Sequence, residues 1–268
     1  MSLITSTDQL GKTIQINFPP RRIVSLVPSQ TELLFDLGLD EEIVGITRFC
    51  IHPKEKVNGK LKIGGTKQFD IEQIKLLAPD LIIGNKEENY QQGIEELQSH
   101  FPVWMSDIYT LPDTYTMMHE VSKITNRQAE GERIITEIKD SFSATASSLL
   151  PLPTAAYFIW RKPYMVAAGN TFINHLLQVF GVKNVFENQT RYPEINTETL
   201  AELKPDFILL SSEPYRFTEK HYEEFCAFSP SSKVIVVDGE MFSWYGSRLR
   251  FTAKYFEELR IQLFTTPN

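Results

Sequence analysis

Only two cysteines, Cys50 and Cys226, occur in 268 residues, which excludes a disulfide-built scaffold and leaves the redox compartment open. No apolar run approaches the roughly 18 residues that a membrane-spanning helix needs. Basic residues are in deficit: 27 Lys and Arg against 34 Asp and Glu give a net charge of −7. Nucleic acids and anionic membranes reward the opposite sign, so neither is expected as a partner. The opening residues M-S-L-I-T-S-T-D-Q-L-G-K lack both a basic n-region and an apolar h-region, so no signal peptide is read there. A chain native as given is therefore expected in the cytoplasm, and one whose leader has been trimmed in the periplasm or another extracytoplasmic space. Catalytic templates are missing too: there is no G-x-S-x-G elbow, P-loop, G-x-G-x-x-G or H-E-x-x-H. Low-complexity tracts are absent, and 42% hydrophobic with 23% charged residues is ordinary for a globular chain able to build one or two cores.

What is present is a repeat on either side of a long helical stretch. Thr125 to Leu150 carries Ile134, Ile135, Ile138, Phe142, Ala146 and Leu149 at three- and four-residue steps, and Pro151 and Pro153 close it. Thr125 with Gln128 fits a capping box, and the helix so predicted is about 35 Å long. Before it, residues 71–81 read I-E-Q-I-K-L-L-A-P-D-L; after it, residues 197–207 read T-E-T-L-A-E-L-K-P-D-F. The ungapped pairing sets Glu72 on Glu198, Ile74 on Leu200, Leu77 on Leu203, Pro79 on Pro205 and Asp80 on Asp206. Leu33, Leu34 and Gly38 pair less strongly with Leu176, Leu177 and Gly181. The period is too long for a solenoid, so two similar lobes are expected.

Strand and helix signals alternate in both halves. Strands are predicted at Thr13–Phe18, Ile23–Val27, Ile43–Thr47, 80–84 and Val103–Met105, then at 155–160, Tyr164–Ala167, 207–210 and Val234–Val237. A capping box from Ser29 to Glu32 is expected to open helix 30–37, and Asp70 to cap helix 71–77. Arg48 to Lys60 and Asp238 to Ser247 read as loops, and a helix from about Arg248 to Leu263 closes the chain. The predicted class is α/β, with two Rossmann-like lobes containing parallel sheets and joined by a single long α-helix. Residues 1–111 form the N-terminal lobe, 112–150 the linking helices and 151–268 the C-terminal lobe.

Ligands of open parallel sheets sit beyond the carboxyl ends of the strands. The residues placed there are Pro28 and Ser29; Arg48, Cys50 and His52; Asn85 to Tyr90; Trp160, Arg161 and Tyr164; Ser211 to Tyr215; and Met241 to Tyr245. As a group they are aromatic and hydrogen-bonding, which suits a large flat ligand; singly, each aromatic serves equally well as packing over a sheet end. Cys50-Ile51-His52 is the one thiol–imidazole neighbourhood: a metal-ligand pair, a nucleophile with its base, or a structural loop. Glu87 and Glu88 offer oxygen ligands or a favourable helix start. His119, His175, and Tyr222 with Phe225 and Cys226, read as structural.

The run R-R-I-V-S-L-V-P-S-Q-T-E-L-L-F-D-L-G at 21–38, the paired E-x-φ-x-x-L-x-P-D units, the central helix and F-S-W-Y-G-S-R at 242–248 resemble one family. It is the Fe-siderophore/haem/vitamin B12-binding family of ABC-importer substrate-binding proteins, nearest its cobalamin-binding members, and the similarity runs from Gly11 onward. The resemblance implies two lobes joined by one rigid helix, little closure on binding, and ligand in the cleft between the lobes. It implies a non-enzymatic monomer that holds a metal chelate, a corrinoid first and an iron-siderophore or haem second, with no cofactor required. Ligand contacts are expected from Trp160, Arg161, Tyr164, Trp244, Tyr245, Tyr90, Lys67, Arg191, Pro28 and Ser29. Glu72 and Glu198 match the acidic residues that meet the permease of the importer in this family; solvated first-turn glutamates would look the same. Where cobalamin binders carry a tryptophan before the first repeat unit, this chain has Gly64-Gly65-Thr66-Lys67, so that corrinoid contact does not carry over. The alternative is a cytoplasmic metallochaperone or metal-dependent enzyme on the same fold, using Cys50, His52, Glu87 and Glu88.

Overall fold

The computed structural model describes residues 2–143 and 151–264. These fall into two compact units: 2–108, 112–138 and 245–248 make the first, and 109–111, 139–143, 151–244 and 249–264 the second.

The first unit opens with a hairpin in which β1 (Ser2–Thr7) runs antiparallel to β2 (Thr13–Phe18). Alternation predicts β2 but not β1, which is largely polar and buries only Ser6. Then β3 (Ile23–Ser25), β4 (Ile43–Ile46), β5 (Leu81–Asn85) and β6 (Val103–Ser106) form an all-parallel sheet in the order β4-β3-β5-β6. Every residue of β5 and β6 is buried, as expected for a sheet covered on both faces. Helices α1 (Pro28–Asp36), α2 (Lys54–Val57), α3 (Ile71–Leu77) and α4 (Gln91–Gln98) connect the strands. Val24, Leu26, Ile74, Ile82, Leu97 and Met105 lie at the centre of the core. The predicted loop 48–60 contains α2, one short turn of helix.

Helices α5 (Leu111–Ile124) and α6 (Gln128–Ser143) follow. Ile134, Ile135 and Ile138 are buried, as the apolar stripe predicts, and Phe142 meets Phe256 edge-on at 6.4 Å. The capping box expected at Thr125 does not form. The Thr125 hydroxyl donates backward to the Val121 carbonyl at 2.7 Å, Asn126 turns to φ 60°, and α6 begins at Gln128. Its described 16 residues span about 24 Å. Ala146 and Leu149 lie outside the described residues.

In the second unit β7 (Thr154–Trp160) is central. It is flanked by β8 (Met165–Val166) and, beyond α7 (Phe172–Phe180), by β9 (Lys183–Asn184). Next come α8 (Thr197–Leu203), β10 (Phe207–Ser211), a 3-10 turn at Glu219–His221, α9 (Tyr222–Phe228) and β11 (Lys233–Val237). The order is β11-β10-β7-β8, with β9 also on β7; β7, β9, β10 and β11 are parallel. β8 is antiparallel, because the short turn at Arg161-Lys162-Pro163 can only fold the chain back on itself. Helices α10 (Glu240–Ser243) and α11 (Leu249–Phe264) end the described chain, α10 within a stretch predicted as loop. In α9, Phe225 is buried but Cys226 is exposed, so the thiol is not on the packing face expected for it.

The internal repeat is real in three dimensions. α3 and α8 both have seven residues, an N-cap whose side chain accepts the third amide (Asp70 from Gln73, Asn196 from Thr199), and a left-handed C-cap (Ala78, φ 43°; Lys204, φ 45°). Asp80 then accepts the Arg21 and Arg22 amides at 2.8 and 2.9 Å, just ahead of β3. Asp206 accepts the Thr154 amide and hydroxyl, both at 2.7 Å, at the start of β7. In each unit the Pro-Asp turn therefore fastens the first strand of its own parallel sheet. α1 and α7 match in length as well, with Gly38 and Gly181 just beyond them at φ 80° and 95°, where any other residue would be strained.

Candidate functional site

In the first unit the carboxyl ends of β3, β5 and β6 converge on a network of uncharged polar groups. Asn85, the last residue of β5, donates to the Ser106 hydroxyl at 3.0 Å, and Gln30 in the first turn of α1 donates to it at 2.5 Å. The Asn85 side-chain oxygen Oδ1 in turn accepts the Glu87 and Glu88 amides at 2.8 and 3.1 Å, which shapes the loop after β5. Asn89 locks that loop in place: its side chain accepts the Asn85 amide and donates to the Leu26 and Thr66 carbonyls. Lys67 donates to the Glu87 carbonyl from the opposite loop. Tyr245 lies against the same groups. Burial pushes its phenol well up, the Glu88 and Glu87 carboxylates add to this, and the Ser29 and Ser106 hydroxyls oppose it. Of the residues predicted here, Ser29, Lys67, Glu87, Glu88 and Tyr245 are thus brought together. Tyr90 instead stacks against Phe69, with ring centroids 4.7 Å apart. Pro28 is the first residue of α1.

In the second unit the end of β7 carries a cluster tied together by one carboxylate. Arg161 makes a two-pronged pair with Glu224 on α9, Nε at 3.0 Å and Nη2 at 2.8 Å from Oε2. The Tyr164 hydroxyl donates to Oε1 of the same residue. Burial, followed by this bond to a charged acceptor, pushes the Tyr164 phenol up to about 12. Burial works against Glu224, but Arg161 and Tyr164 more than offset it, and its carboxyl sits below the usual range. Trp160 is 39% exposed and meets Tyr215 at 5.7 Å, ring edge to face. Trp244 is placed differently. It is only 7% exposed, and its indole N–H donates to half-buried Glu213 at 2.9 Å, which also accepts from the Ser243 hydroxyl at 2.6 Å. Arg191 stands apart at φ 67°, its guanidinium 5.9 Å from the Tyr192 ring and its amide on the Gly169 carbonyl. Glu224 escapes a sequence reading, because a glutamate on a polar stretch gives no sign that an arginine will draw it inward; Glu213 falls within the strand-end stretch Ser211 to Tyr215, but nothing there marks it as the partner of an indole.

Cys50 is buried, its sulfur 3.1 Å from the Thr31 hydroxyl and 3.2 Å from that of Thr47. Burial raises its thiol pKa, and the two hydroxyls only partly offset that. His52 lies half-buried in the bend just before α2. Among the described residues no three or more His, Cys, Asp or Glu side chains are grouped so as to hold a metal ion, and no helix is long and apolar enough to cross a membrane.

Glu32 is itself misread from sequence. α1 starts after Val27 without a side-chain cap, and Glu32 turns to Arg248, with Nε and Nη2 2.8 and 2.6 Å from its two oxygens. Glu72 and Glu198 stand exposed at the second position of α3 and α8, Glu72 in contact with Lys75 at 2.9 Å.

Comparison with known proteins agrees with this architecture. The chain is 26% identical over 200 residues to the vitamin B12-binding protein of Vibrio parahaemolyticus, covering 73% of this chain and 72% of that one. It is 24% identical over 216 residues to an uncharacterised ABC transporter substrate-binding lipoprotein of Bacillus subtilis, covering 77% and 68%. Among solved structures, the periplasmic haem-binding protein of Roseiflexus sp. RS-1 superposes with a TM-score of 0.76 at 20% identity, over 91% of this chain and 98% of that one. The periplasmic vitamin B12-binding protein of Vibrio cholerae gives 0.73 at 19%, over 92% and 98%. The sequence profile described as periplasmic binding protein matches residues 23–227, and the chain belongs to that family.

Proposed function

We propose that this protein is a non-enzymatic substrate-binding protein of an ABC importer, and that its cargo is a metal chelate, a corrinoid first and an iron-siderophore or haem second. The observation that carries this reading is its likeness to a vitamin B12-binding protein over about three quarters of the chain, inside a family match that spans both repeat units. The contacts we propose are Pro28, Ser29, Lys67, Tyr90 and Tyr245 from the first unit, and Trp160, Arg161, Tyr164, Arg191 and Trp244 from the second. Rings of this kind give contact area to a flat macrocycle, and the amide and hydroxyl groups beside them give it orientation. Glu72 and Glu198 are proposed to meet the permease, since the repeat offers one exposed carboxylate per unit at the same place on the same short helix. The metal-handling alternative, with Cys50, His52, Glu87 and Glu88 on an ion, meets a thiol that burial keeps protonated. Calorimetric titration with cyanocobalamin, haemin and a ferric tris-catecholate tests the reading. Saturable one-to-one binding of cyanocobalamin at about micromolar Kd or tighter is expected; heat from none of the three, with the protein folded, overturns it.

A further inference from the structure

The cluster at the end of β7 has a property that the proposed ligand contacts alone do not supply. Arg161 is the cation nearest the exposed ring of Trp160 in sequence, and it would ordinarily be the group that attracts a ligand carboxylate. Here the Nε–Nη2 edge of its fork is taken: Glu224 accepts from both nitrogens in a two-pronged contact, and the Tyr164 hydroxyl donates a further hydrogen bond to the same carboxylate. Tyr215 completes the cluster: its ring meets Trp160 edge to face at 5.7 Å, and its hydroxyl is 3.4 Å from His221. The pair is half-buried, at 28% and 21% side-chain exposure, so it is less open to water and salt than a pair on the bare surface.

We infer that Glu224 is a specificity-determining residue, which cancels the charge of Arg161 so that the Trp160 face receives an uncharged, amide-bearing part of the chelate rather than a carboxylate or catecholate. This rests on the proposed function and names the chemistry of the group recognised. A planar guanidinium held by a carboxylate keeps its shape and its flat face for stacking, while the long-range attraction it would exert on an anion is cancelled at short distance. Glu224 touches no ligand in this scheme and acts through Arg161 as a positioning residue.

Tryptophan fluorescence tests this without a bound ligand. The sequence has three tryptophans; Trp104 and Trp244 are buried, so aqueous ions chiefly quench Trp160. In the wild-type protein at low salt, the iodide-to-caesium quenching ratio should match that of free N-acetyltryptophanamide. Glu224→Gln keeps the shape but frees the charge, and the ratio should rise about threefold or more. Arg161→Gln combined with Glu224→Gln should bring it back. A wild-type ratio already several-fold in favour of iodide overturns the inference even if the variants do not fold, and so does an unchanged ratio in folded Glu224→Gln. Calorimetry adds the ligand arm: the preference for haemin, with its two carboxylates, over cyanocobalamin should rise about fivefold in Glu224→Gln, and an unchanged preference counts against the role. If the wild type binds none of cyanocobalamin, haemin and the ferric tris-catecholate, the proposed function falls, while the quenching ratio still decides whether Glu224 neutralises the platform.

Discussion

Replacing Arg248 by methionine should cost the first unit more than any surface change, and by an amount that depends on pH. Glu32 and Arg248 lie 216 residues apart in sequence, yet each keeps only about a tenth of its side chain exposed, and the two meet through a two-pronged pair at 2.6 and 2.8 Å. Removing the arginine leaves a carboxylate buried without its counter-ion, a change that costs about 3–5 kcal/mol near neutral pH. The sign of the pH dependence follows from Glu32. Burial raises its folded pKa above the ordinary 4.5, although Arg248 pulls it down through a hydrogen bond and through charge. Folding is therefore favoured by the protonated form, and that contribution is lost as pH rises through the folded pKa. Without Arg248 the folded pKa climbs further, so the loss in Arg248→Met grows with pH. At pH 4 Glu32 is already mostly protonated, and the loss should shrink to about 1–2 kcal/mol for missing hydrogen bonds and contacts. Urea unfolding at pH 7.5 and pH 4 measures both values. Glu32→Leu combined with Arg248→Met should recover most of the neutral-pH loss, because an apolar pair needs no counter-charge. A loss below about 1 kcal/mol at pH 7.5, or one equal at both pH values, refutes the reasoning.

Three further outcomes are expected. Trp160→Ala and Trp244→Ala should each weaken chelate binding by about 1–3 kcal/mol in calorimetry, and Trp244→Ala should also lower the melting temperature because its ring is buried and bonded to Glu213; full affinity in both folded variants removes them from the site. Exposed Cys226 should be alkylated on the order of 100-fold faster than buried Cys50, as peptide mass spectrometry would show, and Cys50→Ser should keep most of the chelate affinity; loss of binding in that variant favours a metal-handling protein. Asp80→Ala and Asp206→Ala should cost similar amounts, about 1–2 kcal/mol each in urea unfolding, since each removes a carboxylate that accepts two hydrogen bonds at the start of a strand; a large difference between them breaks the equivalence of the two turns.

How much of this was legible beforehand depended on how far apart in sequence the interacting groups lie. The repeat units could be read because their signals are local: a polar N-cap, leucines three apart, and Pro-Asp before an apolar run all fall within about a dozen residues. Asp70 accordingly caps α3 as expected, and Asn196 does the same for α8. The two predicted capping boxes failed for the opposite reason. Ser29-x-x-Glu32 has the right spacing, but Pro28 already begins α1, and a buried guanidinium from near the chain's far end draws the glutamate away. At Thr125 the spacing was again right, but α5 had not yet finished, and its last turn took the hydroxyl first.

The strand-end rule had a similar reach. It named Trp160, Arg161, Tyr164, Ser29, Tyr245 and Trp244 because position in an open parallel sheet limits where binding groups can stand. It could not say which way each would face, since that is set by partners from other segments. Glu213 holds the Trp244 indole, and Glu224 occupies the Arg161 fork. Glu224 comes from a stretch that looks like solvated surface in one dimension, and Glu213, though within the strand-end stretch Ser211 to Tyr215, shows no sign there of its partner. In this protein the aromatic and cationic groups could be found from the sheet, but their orientation and effective charge depend on glutamates that only the folded chain brings to them. That dependence is also why Glu224, which the strand-end rule passes over, is expected to govern which chelate periphery the Trp160 face accepts.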